Sequence, residues 1–311
     1  MKGKGKMRSL ICIFFLAVFP MASAHATRAV INEAAHVQTI AGTAGDGLEY
    51  TTGTNNQITI TGYKGKGSSV SIPATINGLP VTSLGNGAFV DCSNLTSVTI
   101  PDSVTTLGDY AFTNCSSLAN ITLPNSITTL GNYAFTSCSS LTSIALPNSI
   151  TTIGNYAFTK CSSLTCIALP NGLTTVGNYA FTGCSSLTSI TLPNSLTTVG
   201  NYAFTECSML TSITFPRNVT SVGSYAFALC NKLKVAIFMG NAPSLGSNVF
   251  AATASGFAVN YIGGAKGFTS PSWNGYPAEK VRNLAQPTQT SPTRSIPVPA
   301  KDLKPRNTFS R

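Results

Sequence analysis

From Gly85 to Phe250 the apolar positions recur every 23 residues without an insertion. Phe89, Phe112, Phe135, Phe158, Phe181, Phe204, Phe227 and Phe250 keep this step, as do a cysteine column from Cys92 to Cys230 and a proline column from Pro101 to Pro216. In the unit around residue 138 the apolar set is Ile127, Leu130, Ala134, Phe135, Cys138, Leu141, Ile144 and Leu146. It closes on an alternating run, which predicts a short strand with Ile144 and Leu146 on its buried face and Ser143 and Ala145 facing out. Pro147, with no N–H to donate, stops the strand, and Pro147-Asn148-Ser149 reads as a turn. Gly131 relaxes the backbone before Ala134-Phe135, which is expected to begin a half-turn of helix or a second short strand on the far side.

One such unit leaves both its faces open and cannot bury its own apolar side chains. The fixed period therefore predicts stacked repeats, with successive strands parallel and roughly 4.8 Å apart on one side of a curved solenoid.

The recurring Gly-x-x-Ala-Phe-x-x-Cys-x-x-Leu-x-x-Ile-x-Leu-Pro is carried, for example, by Gly177, Ala180, Phe181, Cys184, Leu187, Ile190, Leu192 and Pro193. It resembles the 23-residue leucine-rich repeat of the BspA-like family over roughly residues 60–265. The resemblance implies a right-handed arc with a parallel β-sheet on the concave side and short strands, turns or helical turns on the convex side. It also implies an exported or cell-surface protein used for adhesion or protein binding, and leaves the ligand open.

The ends are expected to differ. Residues 1–24 join a basic start (Lys2 to Arg8) to the apolar run Leu10–Phe19 and small residues at Ala22 and Ala24, the form of a secretory signal peptide, with no membrane span after its cleavage. Residues 25–47 read as a flexible arm. Residues 48–84 read as a capping hairpin, with strands at Leu48–Tyr50 and Gln57–Tyr63, followed by an atypical first repeat. The 23-residue repeats occupy 85–250. Residues 251–279 form a C-terminal cap in which Phe257, Val259 and Tyr261 make a last strand and Trp273 closes the stack. Residues 280–311, rich in Pro, Ser, Thr and basic residues, read as a disordered tail.

The formal charge of +10 sits at the two ends, while acids and bases balance across the array, so a nucleic-acid footprint on the repeats is not supported. The column cysteines are expected as buried thiols, with pairing of one or two neighbours as the alternative. Metal binding is not expected, because the only histidines, His25 and His36, lie outside the repeats. Neither is a cofactor.

Candidate binding residues fall in two columns. The outward strand positions of the concave face are Ser97, Thr99, Asn120, Thr122, Ser143, Ser189, Thr191, Ser212 and Thr214. Cys166 is the one thiol among them. The second column is a tyrosine stripe on the convex flank, Tyr110, Tyr133, Tyr156, Tyr179, Tyr202 and Tyr225, with an alternative reading of rings that merely stack on one another. Neither column holds a group that exchanges a proton near neutral pH, so catalysis is not expected. The reading is a monomeric, non-catalytic exported protein that binds an extracellular or cell-surface protein or glycan. The alternative is a structural surface protein without a specific ligand.

Overall fold

The computed structural model describes residues 40–281. The expected signal peptide, most of the expected arm and nearly all of the expected tail lie outside the described residues. The described chain is a β-solenoid of about ten turns, in which each repeat contributes one rung.

Two strand walls run along the stack. One carries the expected strands: Ser69–Ser71, Ser97–Thr99, Asn120–Thr122, Ser143–Ala145 and Cys166–Ala168 pair in parallel and in register, so that Ile144 lies opposite Ile167. The other is built from pairs such as Thr129–Leu130 and Thr152–Ile153, and it is the more continuous wall, a twelve-stranded sheet. The second short strand thus lies before Gly131, not at Ala134-Phe135.

No helix forms at the Ala-Phe pair, because its amides bond across repeats. Phe112 N–H donates to Ala134 O, Tyr133 N–H to Asn155 O and Asn114 N–H to Thr136 O, each at 2.8 Å. These N–H groups point toward the next repeat, whereas those of the second strand wall point back, as with Gly131 N–H to Leu107 O at 3.1 Å. Such a turn must aim successive peptide groups along the stack. It does so by placing one residue in the left-handed region before the Ala-Phe pair and another after it, at Tyr133 (φ 58°) and Ser137 (φ 61°).

The core is the stack of phenylalanines between these walls. Phe89 to Phe227 are completely buried, with successive centroids 5.0–5.4 Å apart. Rungs come closest at the glycine column, where a Cβ on Gly200 would lie 2.6 Å from the carbonyl carbon of Gly177. That contact is why a side chain is absent at this position in each repeat.

Three expectations are corrected. Ile40–Ala44, placed in the loose arm, is a strand antiparallel to Leu48–Thr52, since Ala41 and Thr43 find ladder partners there. At the other end, Lys280 belongs to the strand Tyr276–Val281, which pairs with Val259–Ile262 and so succeeds the strand expected to be last. The strand wall is also not continuous. Ser189–Thr191 forms no strand, and the wall resumes at Ser212–Phe215. At this rung Thr188 N–H reaches Thr165 O only at 3.4 Å. Buried Ile190 and Leu192 and the paired Thr198–Val199 on the opposite wall hold the repeat instead.

Both caps are built from side chains that finish what the repeats leave open. The hairpin Leu48–Thr52 with Ile58–Tyr63 adds Leu48, Tyr50, Ile58 and Ile60 to the core. Trp273 packs on Phe238 and Phe268 with centroids at 5.4 and 4.6 Å, as a lid. The last forward-pointing amide, Phe250 N–H, has no further repeat to meet and donates to Tyr276 Oη at 3.2 Å. We expect Tyr276→Phe to cost about 1–2 kcal/mol, the penalty of an orphaned donor. Phe158→Ala should cost about 3–5 kcal/mol as a cavity in the ring stack. Urea unfolding of both variants measures this, and the larger loss must fall on Phe158.

Candidate functional site

The tyrosine stripe is the most unusual surface. Tyr110, Tyr133, Tyr156, Tyr179, Tyr202 and Tyr225 all sit at φ between 57° and 61°. A bulky residue there costs roughly 1–2 kcal/mol, and a stacked aromatic pair returns about 0.5–1.5 kcal/mol. The rings do stack, at 4.4–5.0 Å and within 10° of parallel. Their faces are therefore spent on each other, and edges and hydroxyls are left to solvent. Partial burial, then the neighbouring Tyr133 and Tyr179, push the Tyr156 phenol up to about 12.

Beside the rings runs an amide ladder. Asn155, Asn178 and Asn201 backbone N–H groups donate to the Oδ1 of the asparagine one repeat earlier, at 2.7–2.9 Å. Asp109 takes the same role for Asn132 at 2.6 Å. Tyrosines and amides together line an open trough of about 640 Å³.

A second trough, about 970 Å³, follows the serine column Ser93, Ser116, Ser139, Ser162, Ser185 and Ser208. The sequence signal was the serine after each column cysteine from Cys92 to Cys207, with Asn231 after Cys230, which composition alone marks as solubilising. The hydroxyls of Ser139, Ser162, Ser185 and Ser208 are engaged with backbone, as Ser139 Oγ donates to Ser116 O at 3.3 Å. Lys160 and Glu206 line it two rungs apart, roughly 10 Å, too far for an ion pair. No histidine lies among the described residues, and the carboxylates of the trough are Asp91, which accepts from Asn114 Nδ2 at 2.7 Å, and Glu206.

The strand wall places Ser97, Thr99, Asn120, Thr122 and Ser212 in the open, with Ser143 and Thr214 half-buried. Ser189 and Thr191 are exposed but stand on irregular backbone where the wall is interrupted. The two predicted columns remain separate surfaces, and no site is shared between them.

The cysteine column is interior. Cys115, Cys138, Cys161, Cys184, Cys207 and Cys230 are buried, and every described cysteine is free. Each of these six donates its S–H to a phenylalanine carbonyl one repeat earlier, as Cys138 Sγ does to Phe112 O at 3.1 Å. Burial first, and the next thiol second, pushes Cys161 well above the ordinary thiol range. Another donor escaped notice in the sequence: Thr113, Thr136, Thr159, Thr182 and Thr205, buried or half-buried, give Oγ1–H to a tyrosine carbonyl of the next repeat at 2.6–2.7 Å.

With this geometry in hand, comparison with known families is decisive. A profile described as the BspA type leucine rich repeat region, in six copies, matches residues 63–184 and 151–260, more than half the chain. The chain belongs to the BspA-type leucine-rich repeat family. A leucine rich repeat protein of T. pallidum is 32% identical, with 71% of this chain and 89% of that one aligned and a TM-score of 0.44. A leucine rich cell surface protein of Faecalibacterium prausnitzii is 25% identical over 71% of this chain and 76% of that one, with a TM-score of 0.50. One leucine-rich repeat protein of Bacteroides ovatus is also 25% identical, over 70% and 71%, with a TM-score of 0.47. Comparison with curated proteins returns no match.

Thiol chemistry tests the interior. At pH 8, mass mapping of native protein treated with iodoacetamide should find Cys166, which is exposed, labelled first. Cys92, half-buried and pushed to about 11, should react slowly, and the six buried column cysteines only after unfolding. Unfolded thiols ionise near 9.0, whereas Cys230 in the fold is held up to about 12 by burial. Stability should thus be complete below pH 9 and fall as pH climbs from 9 toward 12, seen as a declining melting temperature.

Proposed function

We propose that this BspA-type protein is exported and binds an extended protein or glycan of the extracellular or cell-surface environment, using the tyrosine–asparagine flank. The single observation behind the reading is the row of six tyrosines held in left-handed backbone. Asparagine or glycine would fill those positions at lower conformational cost. The side chain retained there is an amphipathic edge of ring and hydroxyl set beside an amide row, the residue chemistry of adaptable recognition surfaces. Basic and apolar residues at the start of the chain support export, as does the cell-surface description of the F. prausnitzii protein. Among the described residues no helix is long and apolar enough to cross a membrane.

The runner-up is a structural surface protein without a specific ligand. It is favoured by the near-uniform side chains along the strand wall, since a tuned site carries one or two distinctive exposed residues.

A screen of extracellular glycoproteins and glycans with the full chain tests both readings. The expected hit weakens at least tenfold in the triple variant Tyr133→Asn, Tyr156→Asn, Tyr179→Asn, which suits the left-handed backbone. Ser97→Arg with Thr122→Arg on the strand wall should leave it unchanged. Silence across the screen, with the protein found in medium or envelope fractions, would favour the runner-up.

A further inference from the structure

We propose that the N-terminal end of the tyrosine stack is a slot for one more phenolic ring, supplied by a tyrosine side chain of a partner protein. The stack is finished at one end and open at the other. Beyond Tyr225, Asn248 Nδ2 donates to Tyr225 Oη at 2.8 Å and closes the row. Ahead of Tyr110, the equivalent position is Gly87.

Gly87 has the backbone of a tyrosine rung without the ring. Its φ of 66° lies beside the 57–61° of the six tyrosines. Its N–H donates to Asp109 O at 2.8 Å, as Tyr110 N–H does to Asn132 O. A Cβ at Gly87 would meet nothing closer than Val90 Cγ1 at 3.6 Å, an ordinary contact. The missing ring leaves Tyr110 44% exposed and Val90 37% exposed. These are two of the three large apolar side chains left open among the described residues, and both border the vacancy. The polar edge reaches the slot as well, because Asn86 Oδ1 accepts from Asp109 N–H at 2.9 Å and starts the amide ladder.

The occupant is argued from the stack itself. In each of the six following repeats this place holds a tyrosine, and its ring lies 4.4–5.0 Å from the next one. A ring arriving from outside would lie flat on Tyr110, touch Val90 at its edge and bring its hydroxyl into line with those of the row. The offset, parallel geometry of the row is that of aromatic pairs, so an aromatic ring is the occupant that continues it.

The partner belongs to the flank reading above, but ring binding can be measured without it, so the two can fail separately. Titration of the full chain with 4-fluorophenol, followed by fluorine NMR, should give a saturable shift that N-acetyl-tyrosinamide competes away. Gly87→Tyr should abolish the shift by filling the slot, while its melting temperature confirms the fold. Tyr110→Asn should weaken binding at least tenfold, and Met209→Ala, at the third open apolar side chain, should leave it unchanged. No saturable shift in the wild-type chain, a shift indifferent to Gly87→Tyr, or equal competition by methyl glucoside would each overturn the slot.

Discussion

The structure depends on a rule about peptide groups: each rung must find its hydrogen-bond partners in the rungs on either side. Within the turn after the glycine column, N–H groups point forward along the stack, and in the second strand wall they point back. A rung is thereby bonded in both directions, and removing its neighbour orphans donors on one side and acceptors on the other. Side chains serve the same rule. Column cysteines donate backward to phenylalanine carbonyls, and the threonine after each Ala-Phe pair donates forward to a tyrosine carbonyl. No buried side-chain polar atom is left unpaired among the described residues. What reads in the sequence as a small apolar column is also a row of hydrogen-bond donors.

This rule explains the unequal walls. The Thr-Leu wall lies directly before the glycine column, where rungs approach most closely, and it stays paired along its length. The other wall can lapse at Ser189–Thr191 because burial of Ile190 and Leu192 already fixes that rung. It also explains the caps. Tyr276 Oη takes the place of the carbonyl that a further repeat would have offered to Phe250 N–H, a polar role for a residue that pattern alone marks as apolar lid.

Much of this was legible in the sequence. The period, the buried Ile144 and Leu146, the capping hairpin at residue 48 and the lid Trp273 each follow from alternation, bulk or spacing. The left-handed tyrosines did not follow, because propensity forbids what neighbouring rungs impose: the conformation is set by where an amide must point, not by its side chain. Ile40–Ala44 was missed since its Ala, Gly and Thr residues give no apolar alternation, and a partner strand alone makes it a strand. Lys280 and Val281 were hidden by a change of composition that precedes the end of pairing. The serine trough was missed for a different reason: the serine after each cysteine marks only a polar column, and a groove is a relation between rungs.

Stacking also governs what such a surface can recognise. A side chain repeated in register meets its own copy at about 5 Å, and two like charges at that distance repel by about 1 kcal/mol even in water. A charged column would multiply that penalty by the number of rungs, so columns settle on Ser, Thr, Asn and Tyr. Where charge does occur it is solitary: Asp91, Lys160 and Glu206 share one column but are separated by Asn114, Ser137 and Gly183. The same geometry disfavours the clustered titrating groups that catalysis requires, since they too would have to recur or stand alone. A neutral surface is therefore a consequence of the repeat before it is a clue to the partner. On the tyrosine flank the period breaks at Gly87 and Asn248, where one end of the stack is left bare and the other is covered.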